Sequence, residues 1–382
     1  MDFYKVKVTK TFYRLSKFYF QYYRKKNAVV PCNFIRSIWP THNSSIALLN
    51  NYAYKDKFSP SAGAKLCYGG GFGVRYLSDA SHKLPSLDPW FITGLVDAEG
   101  CFRISIIKDT RTKTGWQVVC NFQIDLHIRD LTLLQQIQTY FGGYGGIYTK
   151  MGGVGYIYKI SSLSHITEVI IPHFDLFPLK SDKLADFMLF KLIIAKIQLK
   201  EHLTLEGVKD IVAIRASLNK GLSDELKASF PNVTPYPRFV RTSDHLIPNP
   251  NWMAGFVSGE GCFYVGVKKS PNYKTGYQVV LEFSVSQHSR DEQLLIGFIS
   301  FFGCGKFNSN NRWVTFRVHK FLDVQSKIIP FFQQYKIVGC KLADFQDFIR
   351  IAELVKEKGH LNDKGLAEIQ KIKEGMNNGR YE

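Results

Sequence analysis

The sequence predicts an α+β fold of two pseudo-symmetric repeats, each with the element order αββαββα. Three observations support it: the chain matches itself when shifted by 161 residues, apolar and polar residues alternate along short segments, and each repeat opens with an apolar helical segment ending in glutamate. Alternation with period two is typical of a strand with one buried face. Each sheet should therefore be antiparallel, with helices on its apolar face and its polar face open.

In the first repeat the expected elements follow one another in a clear order. They are a helix over Trp90–Ala98, strands over Cys101–Lys108 and Trp116–Leu126, a helix over Asp130–Tyr140, short strands near Ile147–Lys150 and Tyr156–Ile160, and closing helices through Lys183–Ala195 and Val208–Leu218. The strand Trp116–Leu126 shows the alternation most clearly, since every second residue from Trp116 is apolar and most of the others are polar.

The internal repeat extends over most of the chain. The segment TKTGWQVV at 112–119 matches YKTGYQVV at 273–280, and the shift then falls to 158, where KLADF occurs at 183–187 and again at 341–345. Agreement over such a length indicates two copies of one unit of about 135 residues. The predicted domains are a basic leader and linker at 1–83, a first repeat at 84–222, an inter-repeat linker at 223–250 and a second repeat at 251–382. Five prolines within 229–251 favour extended structure in that linker.

Composition narrows the class of partner. The chain of 382 residues has 50 Lys and Arg against 32 Asp and Glu, a formal net charge of +18, which points to nucleic acid first and an anionic membrane surface second. Residues 1–83 carry +11 of this charge, and they read as a leader outside the repeats, with a transit peptide or a nucleic-acid-binding arm as alternatives.

The cysteines, histidines and apolar runs exclude other classes. Seven dispersed cysteines without a C-x-x-C pair indicate reduced thiols in an intracellular compartment. The absence of H-E-x-x-H argues against a zinc site, and no apolar run reaches the roughly 18 residues that span a bilayer.

The two glutamates that end the apolar helices, Glu99 and Glu260, are the main candidates for chemistry. Small residues lie four apart on each helix, Gly94 with Ala98 and Gly255 with Gly259, which would let the helices pack closely about a pseudo-twofold axis. The glutamates would then meet at helix C-termini, where the helix dipole and mutual repulsion disfavour them. A divalent cation such as Mg²⁺, held between two carboxylates and phosphate oxygens, would reverse that penalty.

The segments ITGLVDAEG (92–100) and MAGFVSGEG (253–261) resemble the LAGLIDADG motif of homing endonucleases, in particular the single-chain, two-repeat enzymes of fungal mitochondrial introns. The resemblance covers about 84–380 and implies motif helices at the interface between the halves, saddle-shaped sheets, and a divalent metal, expected to be Mg²⁺, at Glu99 and Glu260. It implies a monomer that cuts both strands of a double-stranded DNA target, localised in mitochondria and encoded there. The alternative is an RNA maturase that binds the host intron RNA.

Further catalytic residues follow from the same resemblance. Members of the family often carry a glutamine late in the second strand, and here Gln287 occupies that place in the second repeat while Leu126 occupies it in the first. The family also uses a lysine near the scissile phosphates, for which Lys183 and Lys341 are the repeated candidates. Nearby alternatives are Lys180 and Lys336.

The open sheet faces supply candidate DNA contacts, because arginine and amide side chains in the major groove can pair with base edges. The candidates are Arg103, Ser105, Gln117, Asn121 and Gln123 in the first repeat and Tyr264, Lys268, Gln278, Glu282 and Ser284 in the second. The expected phosphate contacts from the turns are Lys108, Arg111, Lys113, Lys269 and Lys274. Matched positions differ between the repeats, so the target should be non-palindromic.

Overall fold

Each repeat forms a four-stranded antiparallel sheet that is covered on one face by helices. The computed structural model describes residues 87–239 and 246–377. The predicted leader at 1–83 lies outside the described residues.

The first repeat and the segment that follows it contain seven α-helices and four strands within the described range. They are α1 (Pro89–Glu99), β1 (Gly100–Lys108), β2 (Trp116–His127), α2 (Leu131–Tyr140), β3 (Gly146–Thr149), β4 (Gly155–Ile160), α3 (Leu163–His165), α4 (Ile171–Leu176), α5 (Lys183–Gln198), α6 (Leu205–Ala216) and α7 (Asp224–Ser229). A π-helical turn, Ile166–Ile170, joins α3 to α4, and a 3₁₀ turn, Ile128–Asp130, joins β2 to α2.

The second repeat follows the same order. Its elements are α8 (Pro250–Glu260), β5 (Gly261–Lys269), β6 (Tyr277–His288), α9 (Glu292–Phe302), β7 (Lys306–Ser309), β8 (Trp313–Val318), α10 (Phe321–Asp323), α11 (Ile329–Gln334), α12 (Lys341–Lys356) and α13 (Asp363–Glu374). The 3₁₀ turn Ser289–Asp291 stands where Ile128–Asp130 stands in the first repeat.

The strand orders are β1-β2-β4-β3 and β5-β6-β8-β7, and every neighbouring pair is antiparallel. The strand pairs β1–β2 and β5–β6 have the same register, since Arg103 lies opposite Asn121 in the first and Tyr264 lies opposite Glu282 at the matching place in the second. The predicted α+β class and the antiparallel sheets are confirmed.

Phenylalanine dominates the core between each sheet and its helices. Phe102 of β1 lies with its ring centroid 5.1–5.5 Å from those of Phe122, Phe174, Phe187 and Phe190. Phe263 of β5 makes the equivalent contacts with Phe283, Phe332, Phe345 and Phe348. Such aromatic pairs add about 0.5–1.5 kcal/mol each beyond the area they bury, so both sheets are firmly fixed to their helices.

Helices α1 and α8 cross at the predicted small residues. A Cβ atom placed on Gly94 would lie 2.0 Å from the carbonyl oxygen of Trp252, and one on Gly255 would lie 2.0 Å from that of Phe91. Only glycine permits this backbone approach. The predicted packing of the motif helices is therefore confirmed, and it makes the two repeats share one interface.

The segment between the repeats differs in part from the predicted extended linker. It begins with α7, whose first turn is capped by Ser223 and carries Asp224 and Glu225, a helix start that the sequence signals. Residues 230–239, which follow α7, are irregular and are held to the first repeat by Arg238, which pairs with Asp182 at 2.6 Å and Asp186 at 2.8 Å. None of the helices in the described ranges combines the length and apolar character needed to cross a membrane.

Candidate active site and nucleic-acid interface

The two motif glutamates lie at the C-termini of the crossing helices, at the edge of the interface. Glu99 packs against α8, since a Cβ atom on Gly259 would lie 3.1 Å from its Cγ and 3.4 Å from its Oε1. The electrostatic influence of Glu260 reaches Glu99 and raises its pKa. Both glutamates therefore belong to one site at the edge of the pseudo-twofold interface.

The glycines that follow the glutamates do not form left-handed helix ends. Gly100 has φ −75° and Gly261 has φ −71°, both extended conformations that any residue adopts. Glycine is required there for space, because a Cβ atom on Gly100 would lie 2.4 Å from Cγ1 of Val96. The absent side chain lets each chain turn directly from the motif helix into the first strand.

The two repeated lysines cap the motif helices. The Lys183 ammonium donates to the carbonyl oxygens of Val96 (3.0 Å), Asp97 (3.0 Å) and Ala98 (2.7 Å). Lys341 donates to the carbonyl oxygen of Gly259. A cation at a helix C-terminus is favoured by the helix dipole, so the lysines offset the penalty that the neighbouring glutamates carry there.

Burial raises the pKa of the acid Glu99 and lowers the pKa of the base Lys183. Burial raises the pKa of Glu99, Glu260 raises it further, and Lys183 and Lys341 oppose the rise. Burial lowers the pKa of Lys183 from its usual value, against the pull of Asp97, Glu99 and Glu260. The carboxylates therefore repel one another in a partly dry site, and the lysines compensate only in part.

A buried aspartate, Asp97, organises the loop that precedes Lys183, and its function was not predicted from the sequence. Its carboxylate accepts from the backbone of Lys180 (2.8 Å) and Ser181 (2.9 Å), from the Ser181 hydroxyl (2.6 Å), and from Nε1 of Trp252 across the interface (2.8 Å). Burial raises the pKa of Asp97 and the hydrogen bonds lower it. The second repeat has Ser258 at the matching position, which accepts from Val338 N at 3.1 Å.

The predicted difference between the repeats at the end of the second strand is visible in the packing. Leu126 packs against the core of the first repeat, whereas Gln287 is half-buried and lies opposite Val314. Of the alternative lysines, Lys180 contributes its backbone to Asp97, and Lys336 is exposed just before α12.

The predicted base-reading residues occupy the open faces of the two sheets. Arg103, Gln117, Tyr264 and Lys268 are exposed, and Ser105, Gln123, Gln278, Glu282 and Ser284 are partly exposed. Asn121 differs, since only 4% of it is exposed and its Oδ1 has no hydrogen-bond partner within the described ranges. Lys108, Lys113 and Lys274 are exposed at the strand ends, with Lys108 3.5 Å from Glu225.

The short outer strands add open-face residues that the sequence reasoning missed. The cross-strand register places them beside the predicted residues: Tyr148, Ile157 and Lys159 in the first repeat, and Lys306, Asn308, Thr315 and Arg317 in the second. Arg317 lies 3.8 Å from Glu282. The same alternation that revealed the long strands would have identified them, but strands of four to six residues carry a weak signal.

Comparison with known proteins decides the family. The model of the LAGLIDADG endonucleases matches residues 92–194 and 253–352, one match to each repeat. The chain belongs to the LAGLIDADG endonuclease family.

Relatives of this LAGLIDADG endonuclease are encoded in introns. A probable intron-encoded endonuclease 2 of Neurospora crassa is 40% identical over 321 residues, which cover 79% of this chain and 69% of the relative. A second relative from N. crassa, probable intron-encoded endonuclease 3, is 38% identical over 74% of this chain, which spans about half (53%) of its length.

Solved structures show the same architecture in DNA-bound proteins. The I-SmaMI homing endonuclease bound to cleaved DNA has a TM-score of 0.75 and 45% identity, covering 77% of this LAGLIDADG endonuclease and 98% of that chain. I-GzeII in complex with its DNA target has a TM-score of 0.71 and 46% identity, covering 77% and 100%. I-SmaMI has also been solved on uncleaved DNA with calcium ions.

These findings make the chain a DNA-cleaving, divalent-metal-dependent hydrolase that combines both repeats in one molecule, and they do not favour the RNA maturase alternative. In the ranges that the structure describes, no three His, Cys, Asp or Glu side chains cluster to hold a metal ion. This LAGLIDADG endonuclease therefore offers a carboxylate pair rather than a complete ligand set.

Proposed function

We propose that the chain cuts both strands of one long, non-palindromic DNA duplex, with Glu99 and Glu260 holding Mg²⁺ against the scissile phosphates. One observation carries the proposal: α1 and α8 meet at Gly94 and Gly255, and each of these two helices ends in a motif glutamate. We expect the two open sheet faces to flank these helix ends. DNA lying along those faces would place its backbone at the glutamates.

The residues present fit a hard divalent cation. Mg²⁺ is usually bound by one or two carboxylates, with phosphate oxygens and water completing its octahedron, and this site supplies the carboxylates of Glu99 and Glu260. The raised pKa of Glu99 reflects a site that would gain from an added positive charge. Such a cation supplies an activated water and stabilises the leaving oxygen.

The lysines would assist through their charge and by holding the motif helices. An ammonium has three N–H donors, and the three carbonyl bonds of Lys183 occupy all of them. Lys183 must therefore give up a carbonyl if it is to contact a phosphate directly. A comparison supports the importance of the pair: I-SmaMI has been solved as a double lysine-to-alanine variant whose substituted lysines lie 159 positions apart, against 158 for Lys183 and Lys341.

The two cleavage sites would be unequal. Gln287 can orient a water near Glu260, whereas Leu126 at the matching position has no polar atom to do so. We therefore expect the two strands to be cut at different rates.

The two sheets would read different half-sites. At matched open-face positions the first repeat has Arg103 where the second has Tyr264, and Gln123 where the second has Ser284. Arginine pairs with guanine and glutamine with adenine, whereas serine pairs with either, so the halves should prefer different bases. The exposed lysines Lys108, Lys113, Lys269 and Lys274 would contact phosphates, which predicts binding that weakens with salt.

The intron-encoded relatives in N. crassa, and the resemblance to enzymes of fungal mitochondrial introns, support expression in mitochondria. The corresponding target would be the sequence at which the host intron is inserted.

The deciding experiment is a cleavage screen on duplexes tiled across intron-free host genes, with Mg²⁺. We expect one duplex to be cut on both strands with staggered ends. Glu99→Gln and Glu260→Gln should bind that duplex in Ca²⁺ and fail to cut it in Mg²⁺. The exposed Glu368 provides a matched control, since Glu368→Gln should cut normally. Cutting by the Glu99→Gln/Glu260→Gln double variant would refute the mechanism, and intron splicing without DNA cutting would favour a maturase.

A further inference from the structure

A repeated His-x-Arg-Asp segment follows the second strand of each repeat, at His127–Asp130 and His288–Asp291. In both copies Nδ1 of the histidine accepts from the backbone N–H of the arginine, at 3.5 Å in the first and 3.3 Å in the second. The histidine therefore caps a 3₁₀ turn that ends in the aspartate. The two aspartates are 8% and 7% exposed, so the turn directs each carboxylate into the protein.

Each of these carboxylates crosses into the other repeat. Oδ1 of Asp291 accepts from the backbone N–H of Asp182 at 2.6 Å, and Asp182 immediately precedes α5, which begins at Lys183. Oδ1 of Asp130 accepts from the backbone N–H of Cys340 at 2.6 Å, and Cys340 immediately precedes α12, which begins at Lys341. The pattern is reciprocal, and in each direction it ends one residue before a candidate active-site lysine.

The local structure shows why these helix starts depend on the other repeat. The first N–H groups of a helix lack partners within the helix, and neither Asp182 nor Cys340 caps its own helix with its side chain. An ionised acceptor makes the stronger type of hydrogen bond and is favoured at a helix N-terminus. The chain also leaves room for the contact, because a Cβ atom on Gly339 would lie 2.5 Å from Oδ1 of Asp130.

We propose that Asp130 and Asp291 are positioning residues that act across the repeat interface. Asp291 of the second repeat fixes the start of α5 and hence Lys183, and Asp130 of the first repeat fixes the start of α12 and hence Lys341. The inference rests on the proposed function, since it matters for cleavage only if those lysines serve it.

The two aspartates do not contribute equally to holding the loops that precede the lysines. The loop before Lys183 is also held by Asp97, which accepts two backbone N–H groups, whereas the loop before Lys341 is held by a single bond to Ser258. The Lys341 loop therefore depends more on its contact across the interface. The Cys340 thiol adds a second bond to Asp130, at 3.1 Å. Loss of Asp130 should consequently have the larger effect.

The test measures single-turnover cleavage of each strand separately, on the duplex recovered from the tiled screen and labelled on both strands. Lys183→Ala and Lys341→Ala first assign a strand to each lysine. Asp291→Ala should slow the strand that Lys183→Ala slows, and Asp130→Ala the strand that Lys341→Ala slows, by about 10- to 100-fold. Nicked duplex should accumulate in each case. Asp130→Asn and Asp291→Asn keep an acceptor oxygen and should restore cutting of both strands.

The possible outcomes distinguish the role of the lysines in cleavage from the positioning role of the aspartates. Wild-type cutting by both lysine variants would refute the role given to the lysines. Suppose that each lysine variant slows one strand, but the aspartate variants slow both strands equally or slow the opposite strands. That result would refute the positioning role of the aspartates and leave the role of the lysines standing. If an alanine variant does not fold, the aspartate is replaced by serine, whose side-chain acceptor is shorter. That variant is then measured in the same strand-specific cleavage assay. Ca²⁺-supported binding to the duplex should stay unchanged in every aspartate variant, since Asp130 and Asp291 are buried.

Discussion

The contact between the motif helices can be tested by adding a single methyl group. Gly255→Ala would place Cβ 2.0 Å from the carbonyl oxygen of Phe91, and real Cβ contacts stay beyond about 3.0 Å, so the helices must separate by about 1 Å. The three atoms nearest the new methyl group, Phe91 O, Phe91 C and Leu95 N, all belong to the backbone, so no change of rotamer can relieve the clash. Overpacking of this type costs up to about 3 kcal/mol. The better helix propensity of alanine recovers at most about 1 kcal/mol, which leaves a net loss of about 2 kcal/mol.

The same displacement acts on the active site. Helix α8 carries Glu260 at its C-terminus, so a shift of about 1 Å at Gly255 moves that carboxylate relative to Glu99 and should lower the cleavage rate by about 100-fold. Stability is measured by urea and thermal unfolding, and rate by single-turnover cleavage.

Gly375→Ala is the matched control for the substitution in α8. Its backbone has φ −84° and its new Cβ would meet only Ile372 O, at 3.5 Å, which is ordinary contact. It should stay within about 0.5 kcal/mol of wild type. If Gly255→Ala were as stable and as active as Gly375→Ala, the argument that the helices meet at backbone contact distance would be refuted.

Three further predictions concern the buried polar groups. Trp252→Phe removes the indole N–H that Asp97 accepts at 2.8 Å and should lower the free energy of unfolding by about 1–3 kcal/mol; an unchanged urea midpoint would show that the other donors suffice. Burial raises the pKa of Asp291 from 3.8 to about 6, so the stability linked to its protonated form is present below pH 4 and is lost as pH rises through 6. Asp291→Asn should therefore gain stability relative to wild type between pH 4 and 7, by up to about 3 kcal/mol, whereas a pH-independent Tm difference would contradict this. Burial and Asp130 raise the pKa of Cys340 to about 11, so Asp130→Asn should speed alkylation of that thiol at pH 8, followed by mass spectrometry of its peptide; an unchanged rate would argue against the contact.

The sequence predicted those parts of the fold that follow from periodicity and repetition. Alternation along Trp116–Leu126 predicted β2, and the structure gives Trp116–His127. The spacing of Gly94 and Ala98 predicted a close helix pair, because small residues four apart share one face of a helix. The same packing predicted that Glu99 and Glu260 meet at the ends of these helices, and each glutamate is the last residue of its motif helix.

The contacts across the interface could not be predicted in the same way. A buried aspartate and an exposed one look alike in a sequence, and Asp97 was treated only as part of a motif. The hydrogen bond from Cys340 to Asp130 joins residues 210 positions apart, and no local pattern fixes such a pair. A signal did exist in the match between His127–Asp130 and His288–Asp291, since a repeated polar segment without an evident surface role is a candidate for shared structure.

Matched positions in the two repeats are of two kinds: residues that contact the other repeat, and residues on the open sheet faces. This division explains how a duplicated chain can acquire an asymmetric DNA target and still keep its cleavage site. Residues that cross the interface serve the other half, so a change at Asp130 or Asp291 would disturb a lysine that lies in a different repeat. Residues on the open sheet faces serve only their own half, so Arg103 and Tyr264 can differ at matched positions without disturbing the other repeat. Base preference can therefore diverge half by half while the cleavage site stays coupled. A physical consequence is that an isolated repeat would expose the apolar faces of its motif helix and leave its lysine helix without its cross-interface acceptor. Under the proposed positioning role, each repeat therefore contributes to holding the lysine of the other in place.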